Sequence, residues 1–373
     1  MRPIRVAVDA TPLLGARTGI GQYVAHLLRE LALDPNVQVR AAAFSLRRRS
    51  GLRDLPAGVS VVHRPLPARL LQQAWRRWDR PTAESVVGRV DIVHGTNFTL
   101  PPPRDAAGVV TVHDLAFVRY PDLVRAASLE YRELVPRALA RAAVVLTPTR
   151  AVAAELVGTY SISPDRIKVT PMGVDDAWFS ASAARPPGVP ENYVLAVGTR
   201  EPRKGLDVLL SAYRLLLADR IAVPPLVIAG GTGWGPVLDT AQLTDDQVIT
   251  LGYVDRPQLR GLVAGASLLA FPSLYEGFGL PPLEAMAAGT PVVASDVPAV
   301  HEVVGSHARL VPPRDPAALA DALQDVLAHP PSADQRAAAR ERAASFTWRR
   351  CREATIAAYL SALPQRPGHA SIR

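Results

Sequence analysis

Residues 268–295, LLAFPSLYEGFGLPPLEAMAAGTPVVAS, constrain the fold more than any other stretch of the chain. The apolar run Leu268 to Phe271 is short enough for a buried parallel strand, and Pro272 and Ser273 end it. A loop with Gly277 and Gly279 follows. Pro281 and Pro282 suit the first turn of a helix, where a missing N–H removes no intrahelical bond. Gly289 stands where such a helix stops. Pro291 to Ala294 is a second buried strand. The stretch reads as one β-loop-α-β unit with a glycine-rich loop at the helix N-terminus.

Two glycines let the backbone approach a ligand closely, and the helix behind them offers free N–H groups and the positive end of its dipole. A phosphate fits such a loop. Glu276 and Glu284 bracket it, with Glu284 expected in the first turn of the helix. A carboxylate accepts two hydrogen bonds and can hold adjacent ribose hydroxyls. Glycines and prolines alone read equally well as an ordinary tight connection. The whole pattern, E-G-F-G-L-P-P-L-E-A-M-A-A-G-T-P-V-V-A-S, is more specific. It closely resembles the signature of retaining, nucleotide-sugar-dependent glycosyltransferases of family 4. The resemblance implies an α/β chain of GT-B fold: two Rossmann-like domains facing across a cleft, with a C-terminal helix crossing back to the first. It also implies that Glu276 lies by the donor sugar and Glu284 binds the donor ribose. The backbone of Gly277, Phe278, Gly279 and Leu280 would meet the diphosphate.

A chain of 373 residues exceeds what one core usually supports, so two domains are expected. Residues 1–190 carry 25 Arg and Lys against 16 Asp and Glu, while residues 191–373 carry 17 against 18. The basic excess therefore belongs to the first part and points to an anionic partner there. A single cysteine, Cys351, excludes an internal disulfide and reads as a small buried hydrophobe. The N-terminus runs straight into a strand pattern without a signal peptide, and no apolar run reaches the length of a membrane span. The expectation is a cytoplasmic protein, peripheral at the inner membrane face if it meets a membrane at all.

The first domain is expected over residues 1–180, with a linker at 181–190 where Pro, Ala and Ser dominate. Arg5 to Ala10 is its first strand, followed by a loop with Gly15, Gly19 and Gly21 and a helix from Ile20. This could be a dinucleotide fingerprint, but the spacing is not G-x-G-x-x-G. Arg47, Arg48 and Arg49, in place of an acidic residue, follow the next strand and leave NADP as an alternative. The segment Thr18 to Tyr23 resembles the family's first-strand loop, which implies that Gly19 and Gly21 face the cleft near the donor phosphates and the acceptor. Residues 66–80 have a helical pattern with Leu70, Leu71, Ala74, Trp75 and Trp78 on one face and Arg69, Arg76, Arg77 and Arg80 around it. Such a helix either docks on its own domain or lies on a surface. Strands at Asp91 to Gly95 and Val109 to His113 bring His94 and His113 to carboxyl ends, where α/β sheets gather ligands. By resemblance His113 contacts the transferred sugar. His94 is a second cleft residue or a structural one, and Asp114 orients His113 or caps the next turn. Leu123 to Ala140 has helical periodicity.

The pattern restarts at Tyr193, and residues 191–347 are expected to form the nucleotide-sugar domain. The loop Gly198 to Gly205, GTREPRKG, projects Arg200 and Lys204. A loop charge pair is often plain solvated surface. The resemblance makes these the cations that neutralise the donor diphosphate, with Arg203 an alternative for the first. Tyr253 and Val254, after the strand Val248 to Tyr253, would hold the nucleobase by their backbone. The last helix, from about Trp348 to 362, would cross back, and the tail after Pro364 reads as disordered.

Catalytic roles thus fall to His113, Glu276, Arg200 and Lys204. No Asp-x-Asp motif is present, so no metal and no cofactor are expected beyond the nucleotide-sugar co-substrate. The expected reaction is hexosyl transfer, mannosyl or glucosyl in type, to a hydroxyl of a saccharide or lipid-linked acceptor. Residues 40–80, with ten arginines against Asp54 and Asp79, are the candidate contact with an anionic membrane. A sugar phosphorylase of the same fold stays open as a second reading. So does a non-enzymatic anion- or nucleic-acid-binding protein, although no nucleic-acid motif is found and nucleic acid is not the expected partner.

Overall fold

The computed structural model describes residues 2–15, 19–45, 52, 55–65, 67–219 and 221–364. Arg47, Arg48, Arg49, Thr18 and the tail beyond Pro364 lie outside the described residues. All strands run parallel, in two sheets. The first holds β1 (Ile4–Asp9), β2 (Val37–Phe44), β3 (Ser60–Arg64), β4 (Ile92–Gly95), β5 (Ala107–Thr111), β6 (Val144–Thr147) and β7 (Ile167–Val169). The second holds β8 (Val194–Val197), β9 (Leu226–Ala229), β10 (Val248–Gly252), β11 (Leu268–Phe271), β12 (Val292–Ser295) and β13 (Arg309–Val311).

Their orders are β3-β2-β1-β4-β5-β6-β7 and β10-β9-β8-β11-β12-β13. In each sheet the winding reverses once, between β1 and β4 and between β8 and β11. At such a switch point the connecting helices diverge to opposite faces and open a crevice at the carboxyl ends. β11, LLAF, at the centre of the second sheet, is apolar throughout, and all four residues of it and of β6, VVLT, are buried, because helices cover both faces.

The two crevices face each other and are closed by contacts across the cleft. Both carboxylate oxygens of Glu302 accept N–H groups, from Arg150 and Ala151, at 3.0 Å each. These are free donors at the start of the helix Arg150–Tyr160, where an anion is favoured. The Tyr275 hydroxyl accepts from Leu115 N at 2.8 Å and donates to Glu155 Oε2 at 2.5 Å. The last helix, Trp348–Ala362, packs on the first domain. Trp348 stacks on His26 with centroids 4.4 Å apart, and Tyr359 Oη is 2.7 Å from His94 Nδ1.

Three local expectations need correction. Leu123 to Ala140 is not one helix: 3-10 turns at Pro121–Leu123 and Ala126–Glu130 precede the helix Tyr131–Arg141. Strand β5 stops at Thr111, so His113 lies two residues beyond it. The helix in 66–80 spans Ala68–Arg77, and its expected single apolar face is divided. Leu71 and Trp75 are buried and Trp75 Nε1 donates to Pro81 O, whereas Leu70 and Trp78 are 59% and 63% exposed. The Arg69 side chain lies outside the described residues. Among the described residues no helix is long and apolar enough to cross a membrane.

Candidate active site

The loop after β11 enters the helix Leu280–Ala288 through Gly279, whose φ of 106° is a conformation that side chains resist. Pro281 and Pro282 occupy its first turn as expected, and Gly289 closes it at φ 82°. Because the helix starts at Leu280, Glu284 sits one turn further in than expected and takes no part in the first turn. The Phe278 ring is buried against Phe346, with centroids 5.9 Å apart, so that residue offers a ligand only its backbone. Leu280 packs partly buried against the core.

Glu276 emerges from this loop into a cage of cations. Lys204 Nζ donates to its Oε1 at 2.6 Å and Arg203 Nη1 to its Oε2 at 3.2 Å. Burial by itself would raise the Glu276 carboxyl, but Lys204 and Arg203 more than offset it and hold the group below its ordinary range. Arg203 also pairs with Glu201 at 2.9 Å. Arg203 thus takes part in the cage, a role that its neighbour Arg200 does not share. Arg200 is half-buried, its backbone bridges Gly231 and Gly235, and its guanidinium makes no ion pair with a described residue.

Glu284 is buried and held by Arg256 Nη1 at 2.8 Å. Its carboxyl is nevertheless raised, because desolvation outweighs that pairing. Arg256 lies over the Trp178 ring, 5.0 Å from its centroid, and comes within 4.0 Å of Asp175, which pairs with His26 at 3.2 Å. The ribose carboxylate expected from sequence is therefore tied through Arg256 and Asp175 to the stack that docks the last helix. Tyr253, 65% exposed, and Val254, half-buried, follow β10, the edge strand of the second sheet.

The first domain contributes His113. Its Nε2 lies 2.8 Å from Thr96 O, and a carbonyl only accepts, so Nε2 carries the proton. Nδ1 is then an acceptor, and it is buried without a partner. Desolvation lowers the His113 pKa, which keeps the ring neutral. The backbone of His113 touches the donor loop: a Cβ placed on Gly277 would stand 1.8 Å from His113 O. Thr149 Oγ1 meanwhile donates to Gly277 O at 3.1 Å. Glu276 and His113 are thus brought to one place by direct contact of the two domains. Asp114 caps the next turn, accepting from Ala116 N at 3.0 Å. His94 is structural: it is fully buried between Tyr359 and Thr111 and its pKa falls to about 3 through desolvation. Gly19 opens the helix Gly19–Ala32 and Gly21 is buried in its first turn.

Arg256 and Tyr275 were not singled out from sequence as site residues, and Arg203 stood only as an alternative to Arg200. For Arg203 the signal was its place beside Lys204. Arg256 and Tyr275 act through partners distant in the chain, which spacing does not reveal.

Residues 17–178 match the Glycosyltransferase Family 4 description and residues 182–346 match Glycosyl transferases group 1. The chain is 30% identical to O-antigen chain mannosyltransferase B of Escherichia coli over 95% of this chain and 99% of the relative. It is 32% identical to a D-inositol 3-phosphate glycosyltransferase of Geodermatophilus obscurus, over 96% and 90% of the two chains. Among solved structures, sucrose-phosphate synthase of Thermosynechococcus elongatus superposes with a TM-score of 0.75 at 21% identity, covering 96% and 98%. HepE of Anabaena, in complex with UDP-glucose, superposes with a TM-score of 0.68 at 18% identity, covering 97% and 100%. With both halves of its length matched and its two crevices built on the same fold, the chain belongs to the family 4 glycosyltransferases of GT-B fold and is a glycosyltransferase.

Proposed function

We propose that this enzyme moves a hexosyl group, mannosyl or glucosyl in type, from a nucleotide-diphospho-sugar to a hydroxyl of a saccharide or lipid-linked acceptor. Transfer retains the anomeric configuration and serves envelope polysaccharide synthesis. The observation that carries this reading is the cage of Lys204 and Arg203 around Glu276, on a loop whose next residue, Gly277, packs against the backbone of His113. Breaking a glycosyl–phosphate bond leaves negative charge on the diphosphate and oxocarbenium character on the sugar. Lys204 and Arg203 suit the first and the Glu276 carboxylate suits the second. His113 Nδ1 suits a sugar hydroxyl, and Glu284 suits the ribose. The backbone from Gly277 to Leu280 suits the diphosphate. Relatives named as mannosyltransferases, among them the MMP alpha-(1->4)-mannosyltransferase of Mycolicibacterium hassiacum, favour a mannosyl donor.

A panel of nucleotide sugars tests the reading. Nucleoside diphosphate release that depends on a saccharide acceptor is expected, it should survive a chelator, and the product's anomeric proton coupling should match the donor's. Cleavage of a glycan by orthophosphate to a sugar 1-phosphate, with no nucleoside diphosphate released from any donor, would identify a phosphorylase instead. Neither reaction with any substrate would remove the catalytic reading of this site. Exposed Leu70, Trp78, Arg77 and Arg80 on and after one helix support presentation of the acceptor at an anionic lipid surface.

A further inference from the structure

Tyr275 directly precedes Glu276 on the loop after β11, and it is buried and tied at both ends. Its carbonyl oxygen accepts from Arg203 Nη1 at 3.4 Å, the same nitrogen that meets Glu276 Oε2 at 3.2 Å. Its hydroxyl crosses to the first domain, where it accepts from Leu115 N at 2.8 Å and donates to Glu155 Oε2 at 2.5 Å. The ring between them lies against Tyr120, with centroids 5.3 Å apart. One side chain therefore spans the cleft, from the cation cage to the segment that carries His113.

That segment draws an acceptor from the second domain. Leu115 stands two residues after His113 and is fully buried. Asp114 caps Ala116 N, and the Leu115 carbonyl receives Val118 N and Arg119 N. The Leu115 N–H is met by the Tyr275 hydroxyl. A buried N–H without an acceptor is costly, so this stretch of the first domain takes its place from a group on the second. Glu155, on the helix Arg150–Tyr160, fixes the hydroxyl proton and so leaves an oxygen lone pair for Leu115 N. Its other partner is Arg119, at 4.0 Å. Burial pushes the Tyr275 hydroxyl far above its ordinary range, so it keeps its proton and is neither acid nor base for transfer. Gly277 against His113 O brings the two segments together, and the Tyr275 hydroxyl fixes where one lies along the other.

We infer that Tyr275 is a positioning residue for glycosyl transfer: by holding Leu115 N and Glu155 it sets the His113 segment in register with Glu276, without touching substrate. The inference rests on the transferase reading above and adds to it the residue that aligns the two halves of the site.

Tyr275→Phe tests it, because the variant keeps the ring on Tyr120 and removes one oxygen. In the full chain with nucleoside diphosphate bound, amide hydrogen exchange at Leu115 should speed up by about tenfold. The kcat of acceptor-dependent transfer should fall about 10–100-fold. The KM for the nucleotide sugar and the Kd for nucleoside diphosphate should stay within about twofold of the parent. Glu155→Ala should also lower kcat, and Glu155→Gln, which keeps an oxygen for the hydroxyl, should lose less. The double variant Tyr275→Phe with Glu155→Ala should lose no more than Tyr275→Phe alone, because both act through one contact. A tyrosine that serves stability alone would lower the unfolding temperature and leave kcat as in the parent. That result, parental exchange at Leu115, an equal loss of nucleotide affinity, or losses that multiply in the double variant would overturn the positioning role. A parent that turns over no donor would instead overturn the transferase reading, and exchange at Leu115 would still decide whether Tyr275 holds that segment.

Discussion

Lys204 Nζ stands 2.6 Å from Glu276 Oε1, so the cation expected to meet a diphosphate is paired with the carboxylate expected to meet the sugar. Arg203 takes the other oxygen at 3.2 Å. Arg203 also pairs with Glu201, so the cluster holds two cations against two carboxylates, and an incoming diphosphate must draw a cation away from Glu276. On donor binding Lys204 can turn toward phosphate while Arg203 keeps Glu276 ionised. Lys204→Ala should therefore lower turnover by about 10²–10³-fold, the scale for removing one preorganised charge from a transition state. Steady-state kinetics on the true substrate check this. Near-parental turnover would exclude Lys204 from the diphosphate role.

Glu284 and Arg256 form the second buried pair, and their variants should separate binding from folding. Glu284→Ala removes the acceptor of the ribose hydroxyls and should weaken nucleotide binding about 10–100-fold. Arg256→Ala leaves Glu284 buried without its cation, which costs about 3 kcal/mol of stability, the low end for a broken buried pair because Arg256 keeps some solvent contact. Calorimetric titration with nucleoside diphosphate and thermal unfolding check the two. Unchanged unfolding of Arg256→Ala would mean that Glu284 is protonated in the parent.

His94 gives the fold a pH dependence of known sign. Its folded pKa is about 3 against an ordinary 6.5, because burial between Tyr359 and Thr111 excludes the charged form. The unfolded chain binds the extra proton below about 6.5. The contribution is therefore fully present above that value and is lost as pH falls toward 3, by up to about 1.4 kcal/mol per pH unit. His113 is shifted in the same direction by burial and adds to the loss. Thermal unfolding between pH 7 and 4 should show a shallower slope in His94→Gln, whose amide can still meet both hydroxyls without charging. An identical slope would assign the acid sensitivity elsewhere.

The helix Ala68–Arg77 tests the lipid-surface reading with the residues that remain outside the core. Leu70 and Trp78 are exposed apolar side chains and Arg77 and Arg80 are exposed cations. Each basic residue near an anionic leaflet adds about 1 kcal/mol, so attachment should be weak and sensitive to salt. Flotation with anionic vesicles should carry the parent at low salt and release it at high salt. A variant with Trp78→Ala, Arg77→Gln and Arg80→Gln should stay in the soluble fraction while still binding nucleotide. Full flotation of that variant would remove the claim.

What the sequence made legible was local. The β-loop-α-β unit around Glu276 and Glu284 was readable because prolines, glycines and apolar runs punctuate it at short range. The C-terminal helix was placed by resemblance. The cage around Glu276 was half readable: Lys204 was found, but whether Arg200 or Arg203 faced Glu276 depended on a single 3-10 turn, Pro202–Lys204, that holds Arg203 beside Lys204 and leaves Arg200 outside it. The fate of Trp75 and Trp78 was not readable either. Both lie on an apolar helical stripe, and only the position of Phe44 and Pro81 decides that one is core and the other exposed. His94 and His113 looked alike at sheet ends. Their difference comes from Tyr359, 265 positions away in the chain.

Gly277 and Gly279, two residues apart in the same loop, should fail in different ways when each becomes alanine. At Gly279 the φ of 106° strains any side chain, at about 1–2 kcal/mol, and the strain falls on the backbone expected to hold the diphosphate. Gly279→Ala should therefore weaken nucleotide binding. At Gly277 no positive φ is involved. The new methyl would lie 1.8 Å from His113 O, a backbone atom of the other domain, and no rotamer change can relieve it. The domains must separate locally, breaking the Thr149 bond to Gly277 O and moving Glu276 away from His113. A misplacement of about 1 Å at a reacting centre costs about 10²-fold in rate. Gly277→Ala should accordingly lose transfer while keeping near-parental nucleotide affinity, since Glu284, Lys204 and Arg203 all sit on the second domain. Calorimetric titration and acceptor-dependent turnover on the two variants check the contrast. Equal loss of nucleotide affinity in both would mean that Gly277 serves the diphosphate loop alone and that the contact with His113 does not align the site.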